Sequence, residues 1–218
     1  MCTISLICTR HDELGKCNSN ELFLIVEHIN PEVIFEEIPP SFFDKYYFEK
    51  SMSNLESYTI NRYIENHKID HIPVDSDNLP SEDFFKDHKK MLERIEGLAD
   101  INGFTYRNLV DNNRIHSMNY GFQYLNSIYS DNINNEIYKA IENGLQKINN
   151  NKFFQSFKLW KEINEMRENQ MLQNIYRYSQ AHQYDRAIFL IGAAHRKSII
   201  EKILEYQKTE KVKLNWIY

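Results

Sequence analysis

The chain has 218 residues, 42% of them hydrophobic and 26% charged, a composition typical of a soluble globular protein with one sizeable core. Its net charge of −5 is spread over interleaved Lys, Glu and Asp residues, so the chain lacks the concentrated basic face of a nucleic-acid-binding protein. The longest apolar run, residues 187–194, is far shorter than the roughly 20 residues that span a bilayer. We therefore expect neither nucleic acid nor a membrane as a partner.

The first residues and the cysteines indicate a compartment. The segment MCTISLIC is apolar but lacks the basic residues that begin an export signal, and polar residues follow it at once. The cysteines are Cys2, Cys8 and Cys17, an odd number that does not suit a disulfide framework. We expect a cytoplasmic protein with reduced thiols.

The first 40 residues have the pattern of a β-α-β unit. Thr3–Cys8 is a short, nearly continuous apolar run, typical of a strand covered on both faces. Asn18 and Glu21 have capping-box spacing at the start of a helix that Pro31 ends. A second buried strand is predicted at Val33–Glu36. A strand–helix–strand unit implies a right-handed crossover and parallel pairing.

The middle of the chain changes from strands to helices. Leu55–Ile64 has a helical pattern, and Ile69–Asp75 predicts a weak third strand that Pro73 keeps out of the sheet centre. Residues 81–150 show only helical periodicity, so we predict that they form a helical insertion, or cap, on the α/β core. The apolar stripes of this block are Phe84, His88, Met91, Leu92 and Ile95; Ile115, Met118, Phe122, Leu125 and Tyr129; and Ile133, Ile137, Ala140, Ile141 and Ile148.

The last third of the chain returns to a β-α-β pattern. Residues 153–182 predict a long helix, Ala187–Ile191 is the strongest strand pattern of the chain, and residues 195–206 predict the next helix. Val212–Tyr218 alternates as a terminal edge strand would, which offers an edge for a homodimer. The predicted fold is one α/β domain over residues 1–218. Its small, mainly parallel sheet is flanked by helices, with the all-helical insertion between N-terminal and C-terminal β-α-β portions.

Polar side chains follow four of the predicted strands. The segment CTRH places His11 after the first strand, and GAAH places His195 after the strand at 187–191. Glu36 and Glu37 close the second strand, and Asp75 closes the third. Ligands of an open parallel sheet bind outside the carboxyl ends of its strands, so we expect these side chains to form the functional site. Two imidazoles with one or two carboxylates suit a divalent metal or general acid–base chemistry, although each histidine alone is equally well explained as a hydrogen-bonded loop residue.

Arg167 is a separate indication of a site. On a helical wheel it falls beside an apolar stripe of the long helix, which consists of Phe153, Phe157, Trp160, Met171 and Tyr178. An arginine is seldom buried without an anionic partner, because an unpaired buried charge costs several kcal/mol. The partner would be a site carboxylate or a substrate oxyanion. The alternative is that the stem packs while the charged head reaches solvent.

Several segments resemble the TraB/TIKI/ChaN/EreA-like superfamily, which includes pheromone-shutdown proteins, Wnt-directed proteases, erythromycin esterases and a haem-binding lipoprotein. The segments are VIFEEIP, IPVDSD, MRENQM and RAIFLIGAAH, in the order of the family's motifs. Residues 81–150 contribute nothing to the resemblance. The family's first motif begins with Gly, where this chain has Cys8.

The resemblance implies a metal-dependent hydrolase of the protease or esterase type, acting on a small-molecule or peptide substrate. It implies His11, Glu37 and His195 as ligands of a divalent cation of the Mn, Co or Zn class. Arg167, Glu37 and His195 would be the catalytic residues, with Asp75 and Glu36 as accessory residues. Glu37 is preferred to Glu36 because Ile38 follows it, as an apolar residue follows the family's Glu.

Other functions need different residues. A non-catalytic ligand-binding or regulatory protein of the same superfamily would use aromatic residues of the insertion to line a haem pocket, although such stripes more often form core. Those residues are Phe84, Phe85, Tyr106, Tyr120, Phe122 and Tyr124. A structural zinc on Cys8, His11 and Cys17 lacks a local fourth ligand, and a Ser-His-Asp hydrolase lacks the G-x-S-x-G elbow. The remaining histidines are expected on helix surfaces or in loops: His28, His67, His71, His88, His116 and His182.

Overall fold

The computed structural model describes residues 2–99 and 101–218. Within these ranges, parallel pairing joins five strands into one sheet. The strands are β1 (Thr3–Thr9), β2 (Val33–Glu36), β3 (Asp70–Pro73), β4 (Arg186–Gly192) and β5 (Asn215–Ile217). Their spatial order is β3-β2-β4-β1-β5, so the predicted α/β fold with a parallel sheet is confirmed.

Helices flank this sheet. They are α1 (Ser19–Ile29), α2 (Phe43–Tyr47), α3 (Leu55–Ile64), α4 (Glu82–Glu96), α5 (Thr105–Leu125), α6 (Ile128–Ile148), α7 (Asn151–Ala181) and α8 (Arg196–Thr209). Single 3₁₀ turns precede α2, at Pro40–Phe42, and α8, at Ala193–His195. In the described parts of the chain, no helix combines the length and the apolar sequence needed to cross a bilayer.

Both faces of the sheet are covered, which explains why its central strands are continuous apolar runs. One face packs on α7 and α8, through a cluster that includes Phe35, Phe189, Met171, Ile175 and Ile199. The other face packs on α1, α3 and the end of α5, through Ile34, Ile188, Val26, Ile60 and Phe122. Burial of each such side chain stabilises the fold by about 1.5–3 kcal/mol.

The block at residues 81–150 is helical, as its periodicity predicts. Helices α4 and α6 pack with α7 around a further cluster, which contains Met91, Ile95, Ile141, Leu145 and Phe157. The ion pair of Arg196 with Asp131 joins the start of α8 to α6. The long helix α7 therefore contacts the sheet with one part of its length and the insertion with another.

The apolar stripe predicted along α5 is wrong in part. Phe122 and Leu125 are buried, but Ile115 and Met118 are more than 40% exposed, and Tyr129 is 49% exposed. Gly121, whose φ of 58° and ψ of −140° interrupt the helix, separates Ile115 and Met118 from Phe122 and Leu125, and Tyr129 belongs to the next helix, α6. Because the helix phase changes at that residue, positions before and after it do not share one face.

The two edges of the sheet are strands β3 and β5. Strand β3 is shorter than predicted, and its Pro73 lies at the edge, where a missing N–H is tolerated. Strand β5 pairs only with Thr3–Ser5 of β1. Beyond that point, the Asn126 side chain bonds both backbone groups of Cys8. Its Oδ1 accepts from Cys8 N at 2.7 Å, and its Nδ2 donates to Cys8 O at 3.1 Å.

Candidate functional site

The carboxyl ends of β1, β2, β3 and β4 lie side by side. Thr9 is in register with Gly192, and Glu36 is in register with both Leu190 and Pro73. The polar residues that follow these strands therefore emerge at one edge of the sheet, and they are His11, Glu37, Asp75 and His195.

Arg167 of α7 joins two of these strand ends. Its Nη2 lies 2.6 Å from Asp75 Oδ2 and 2.8 Å from Glu37 Oε1, and its Nε donates to Asp75 Oδ1 at 3.1 Å. The side chain is only 16% exposed. Burial opposes the guanidinium charge, but Asp75 and Glu37 outweigh it and raise the pKa of Arg167. The anionic partners expected for a buried arginine are thus two site carboxylates.

Glu37 is surrounded by donors and cations. Its Oε2 accepts from the backbone N–H of Gly192 at 2.6 Å, and its Oε1 lies 3.5 Å from His195 Nε2 as well as against Arg167. Burial alone would raise the pKa of this carboxyl, but His195, Arg167 and the Gly192 N–H together hold it below its ordinary value. Glu37 is therefore an anion at neutral pH.

His195 lies between two carboxylates. Its Nδ1 is 2.6 Å from Glu168 Oε1, and its Nε2 faces Glu37. Burial disfavours the imidazolium form, but Glu37 and Glu168 outweigh that effect and raise the pKa of His195. Gly192, before His195, allows the Glu37 carboxylate to approach the backbone closely, since a Cβ on Gly192 would lie only 3.3 Å from Glu37 Oε2.

His11 has a different carboxylate partner. Its Nδ1 lies 3.4 Å from Glu56 Oε1, and Glu56 also accepts from the Thr9 hydroxyl. The hydrogen bond to Glu56 raises the pKa of His11 to about 9, with Glu37 and Asp12 contributing, although burial opposes it. The His11 side chain is 57% exposed, whereas that of Glu56 is buried. A buried carboxylate thus orients an imidazole that solvent can reach.

A cleft of about 390 Å³ opens beside these residues. Glu37, Asp75 and Arg167 form part of its lining, together with His11 and Asp12. The rest of the lining is mostly apolar and includes Ile38, Pro39, Phe42, Tyr46, Met52 and Leu79. His195 is nearly buried and contacts Glu37 directly.

Glu36 lies apart from this group. Alternation along β2 directs it to the opposite face, where it accepts from the Tyr47 hydroxyl and lies 3.3 Å from His71 Nδ1. Burial raises the pKa of Glu36. His71, expected to be an ordinary surface or loop histidine, is therefore the partner of a buried carboxyl. Glu36 helps to hold α2 on the sheet.

Sequence reasoning missed Glu56 and Glu168. Both are buried charged residues on helices, 6% and 4% exposed, and each binds one of the two site histidines. A signal exists for Glu168, because it occupies an apolar stripe of α7 in helical spacing with Leu172 and Ile175. Glu56 sits among buried residues at the start of α3, but the sequence does not pair it with His11.

The cysteines lie inside the fold. Cys8 is buried in β1, and burial raises the pKa of its thiol well above the ordinary range. Cys17 is buried too, its Sγ donates to the Ser117 carbonyl at 3.3 Å, and burial raises its pKa to about 11. Cys2, Cys8 and Cys17 are free thiols. Within the described residues, Cys8, Cys17 and His11 do not form a group with the arrangement of a metal site.

Within residues 2–99 and 101–218, no group of three or more His, Cys, Asp or Glu side chains has the arrangement of a metal site. The aromatic residues considered for haem go to different places. Phe84 stacks near Trp160, Tyr106 packs in the core of the insertion, and Tyr120 stacks on His116. Phe122 packs in the core under the sheet.

Comparison of the chain with protein-family models, with curated proteins and with solved structures finds no match in any of the three.

Proposed function

We propose that the cleft is the active site of a hydrolase that cleaves an ester or amide bond in a small-molecule or peptide substrate. The observation that carries the proposal is that one cleft is lined by an anionic carboxylate, Glu37, and by a protonated imidazole, His11. A general base and a general acid in one cleft are what hydrolysis requires.

Glu37 is the proposed base. A carboxylate has about four lone-pair directions, and Arg167, His195 and the Gly192 N–H use three of them. One direction at Oε2 is left for a water molecule. As the water oxygen attacks the carbonyl carbon of the substrate, the proton of the water passes to Glu37.

His11 is the proposed acid. Glu56 holds its Nδ1, which leaves Nε2 to donate a proton to the leaving oxygen or nitrogen as the scissile bond breaks. Arg167 orients Glu37 and keeps it ionised, because it bridges Glu37 to Asp75. The apolar wall, with Phe42 and Met52, would accept an apolar group next to the reacting bond.

The proposal has a metal-dependent form. Two imidazoles and a carboxylate are suitable donors for a cation of the Mn, Co or Zn class, and His11, Glu37 and His195 would have to move together to hold it, since they do not have the arrangement of a metal site in the structure. Both imidazoles would lose a proton on binding, since only the neutral ring is a ligand. A bound cation would supply a water of lowered pKa. Orientation of Glu37 by Arg167 is needed in either form.

We place this activity in the cytoplasm, with neither nucleic acid nor membrane as a partner. The free thiols and the dispersed net charge of −5 support this part of the proposal. Microscopy of the tagged protein tests the compartment, and enrichment at a membrane would contradict it.

Glu37→Gln tests the function. We expect turnover of the best substrate in a panel of chromogenic esters and fluorogenic peptides to fall by about 10²–10⁴-fold, because the general base is lost. Glu32→Gln is the matched control, since Glu32 precedes the other end of β2 and is about half exposed. Metal content of the purified protein is measured alongside, and turnover is assayed with and without added Mn, Co or Zn.

The outcomes separate the forms of the proposal. Bound metal in the wild type, lost in His195→Ala together with turnover, supports the metal-dependent form. Metal-free turnover that Glu37→Gln removes supports the metal-independent form. Turnover unchanged in Glu37→Gln, or absent from the wild type across the panel with every metal, overturns the hydrolase.

A further inference from the structure

One carboxylate of α7, that of Glu168, is contacted by the 3₁₀ turn before α8 and by the first turns of α8. His195, Ser198 and Lys202 are spaced i, i+3 and i+7, and all three are directed at Glu168. His195 Nδ1 lies 2.6 Å from Oε1, while the Ser198 hydroxyl donates to Oε2 and Lys202 Nζ lies 3.6 Å from it. Each oxygen of Glu168 therefore has its own partners.

This arrangement fixes the His195 ring. Glu168 is 4% exposed, and the His195 side chain is 11% exposed, so water competes little for either group. An ionised carboxylate only accepts hydrogen bonds, so the proton of the pair lies on Nδ1 of the ring. With Ser198 and Lys202 on Oε2, the carboxylate has no freedom to turn. The Nε2 atom of the ring is then held against Glu37 Oε1.

We propose that Glu168 is a positioning residue that accepts the Nδ1–H of His195 and thereby keeps Nε2 directed at Glu37. Its effect on catalysis rests on the proposed function, whereas its effect on the ring does not. Glu168 itself is outside the cleft lining and acts through His195. A carboxylate behind a histidine is a common device for fixing the orientation of the ring.

The proposal predicts a spectroscopic signature. A proton held between an imidazole nitrogen and a buried carboxylate is strongly deshielded and slow to exchange. In ¹⁵N-histidine-labelled protein at pH 7, we expect such a resonance on His195 Nδ1, assigned by its loss in His195→Gln. Glu168→Gln should move it upfield, because a neutral amide oxygen is a weaker acceptor than a carboxylate. Glu165→Gln, an exposed site on the same helix, is the matched control and should leave the resonance in place.

Activity provides the second readout. In Glu168→Gln we expect kcat to fall by about 10–100-fold with little change in KM, since the substrate does not touch this residue. Circular dichroism and thermal unfolding check that the variant is folded. If it does not fold, the wild-type resonance and Ser198→Ala, which should retain the resonance, carry the test.

The failures of the two proposals are distinguishable. A deshielded Nδ1 proton that responds to Glu168→Gln, in a protein without turnover, supports the positioning role and counts against the hydrolase. A wild-type protein without that proton, or a Glu168→Gln variant with an unchanged resonance, overturns the positioning role whatever the activity.

Discussion

Buried ionisable side chains at the carboxyl edge of the sheet hold one another in fixed charge states. Glu37 remains an anion because His195 and Arg167 lie against it, and Arg167 is neutralised in turn by Asp75. Removing one member leaves another buried charge unpaired, which costs on the order of 3–5 kcal/mol. Variants at these positions must therefore be checked for folding before their activity is interpreted.

We predict that Glu56→Gln changes the pH dependence of turnover. The pKa of His11 is raised to about 9 by Glu56, so the protonated acid is present below that pH and is lost as pH rises through it. Without the carboxylate, we expect the pKa to fall toward the ordinary 6.5, and the alkaline limb of the pH–rate profile to move down with it. Titration of the His11 C2 proton by NMR measures the shift.

Glu49→Gln is the control for that titration, because Glu49 is exposed and its side chain bonds only Ser51 among the described contacts. A His11 pKa that is the same in Glu56→Gln and in the wild type would contradict the pairing. A changed pKa with an unchanged pH–rate profile would contradict His11 as the acid instead.

At the residue scale, the sequence identifies Arg167 and the side chains that follow the strands, but not the carboxylates that pair with the two histidines. Arg167 stands out because a charge beside an apolar stripe needs an anion, and Glu37 stands out by its position after a buried strand. Glu56 lies 45 positions from His11, and Glu168 lies 27 from His195, so only the packing of helices on the sheet reveals these pairs.

At the scale of elements, α5 is docked on the first loop through two glycines. Gly15 and Gly121 have φ of +57° and +58°, and a Cβ on either would collide with backbone of the opposite segment. Lys16 N also donates to Met118 O at 2.9 Å. The break at Gly121 therefore serves a close backbone approach between α5 and the loop that leads away from β1.

Gly121→Ala should destabilise the protein by about 1–3 kcal/mol through backbone strain, with the clash against Lys16 O adding to it. Gly97→Ala is the matched control. Gly97 has an ordinary φ of −78°, and an added Cβ would meet nothing closer than 3.7 Å. Urea unfolding of both variants measures the difference. Equal free energies of unfolding for the two variants would show that the backbone around Gly121 shifts to accept a Cβ at little cost.

Regular elements were predictable where local pattern and burial agree. Strands β1, β2 and β4 are continuous apolar runs because helices cover both faces, and α3 occupies Leu55–Ile64 as predicted. Helix α2 was missed because its five residues follow two prolines and are too few to show a period. The interrupted α5 was missed because a stripe drawn through Gly121 assumes one helix phase.

At the scale of the whole molecule, the outer side of β5 is the sheet edge nearest the carboxyl terminus. Ile217 and Tyr218 are 55% and 48% exposed there, while Trp216 points into the core. An exposed apolar edge strand is a template for a second strand. We expect two copies to pair through β5.

Ile217→Lys should therefore shift the protein from dimer to monomer, because a lysine on an edge strand disfavours strand addition. Sedimentation velocity over a range of concentrations measures the species present. Leu204→Lys, on the exposed side of α8, is the control and should remain dimeric. A wild type that stays monomeric at every concentration would contradict pairing through this edge.

The Asn126 amide, which bonds both backbone groups of Cys8, takes the place that one residue of a further strand would occupy. A chain caught partly folded, before the end of α5 reaches the sheet, would leave those groups of β1 open to strands from other chains. Such an open edge is where aggregation begins. Arrival of α5 therefore closes this part of the β1 edge to strands of other chains, while the outer edge of β5 stays open. If the insertion docks slowly, we expect a larger fraction of aggregated protein, while the molecules that do fold keep their activity.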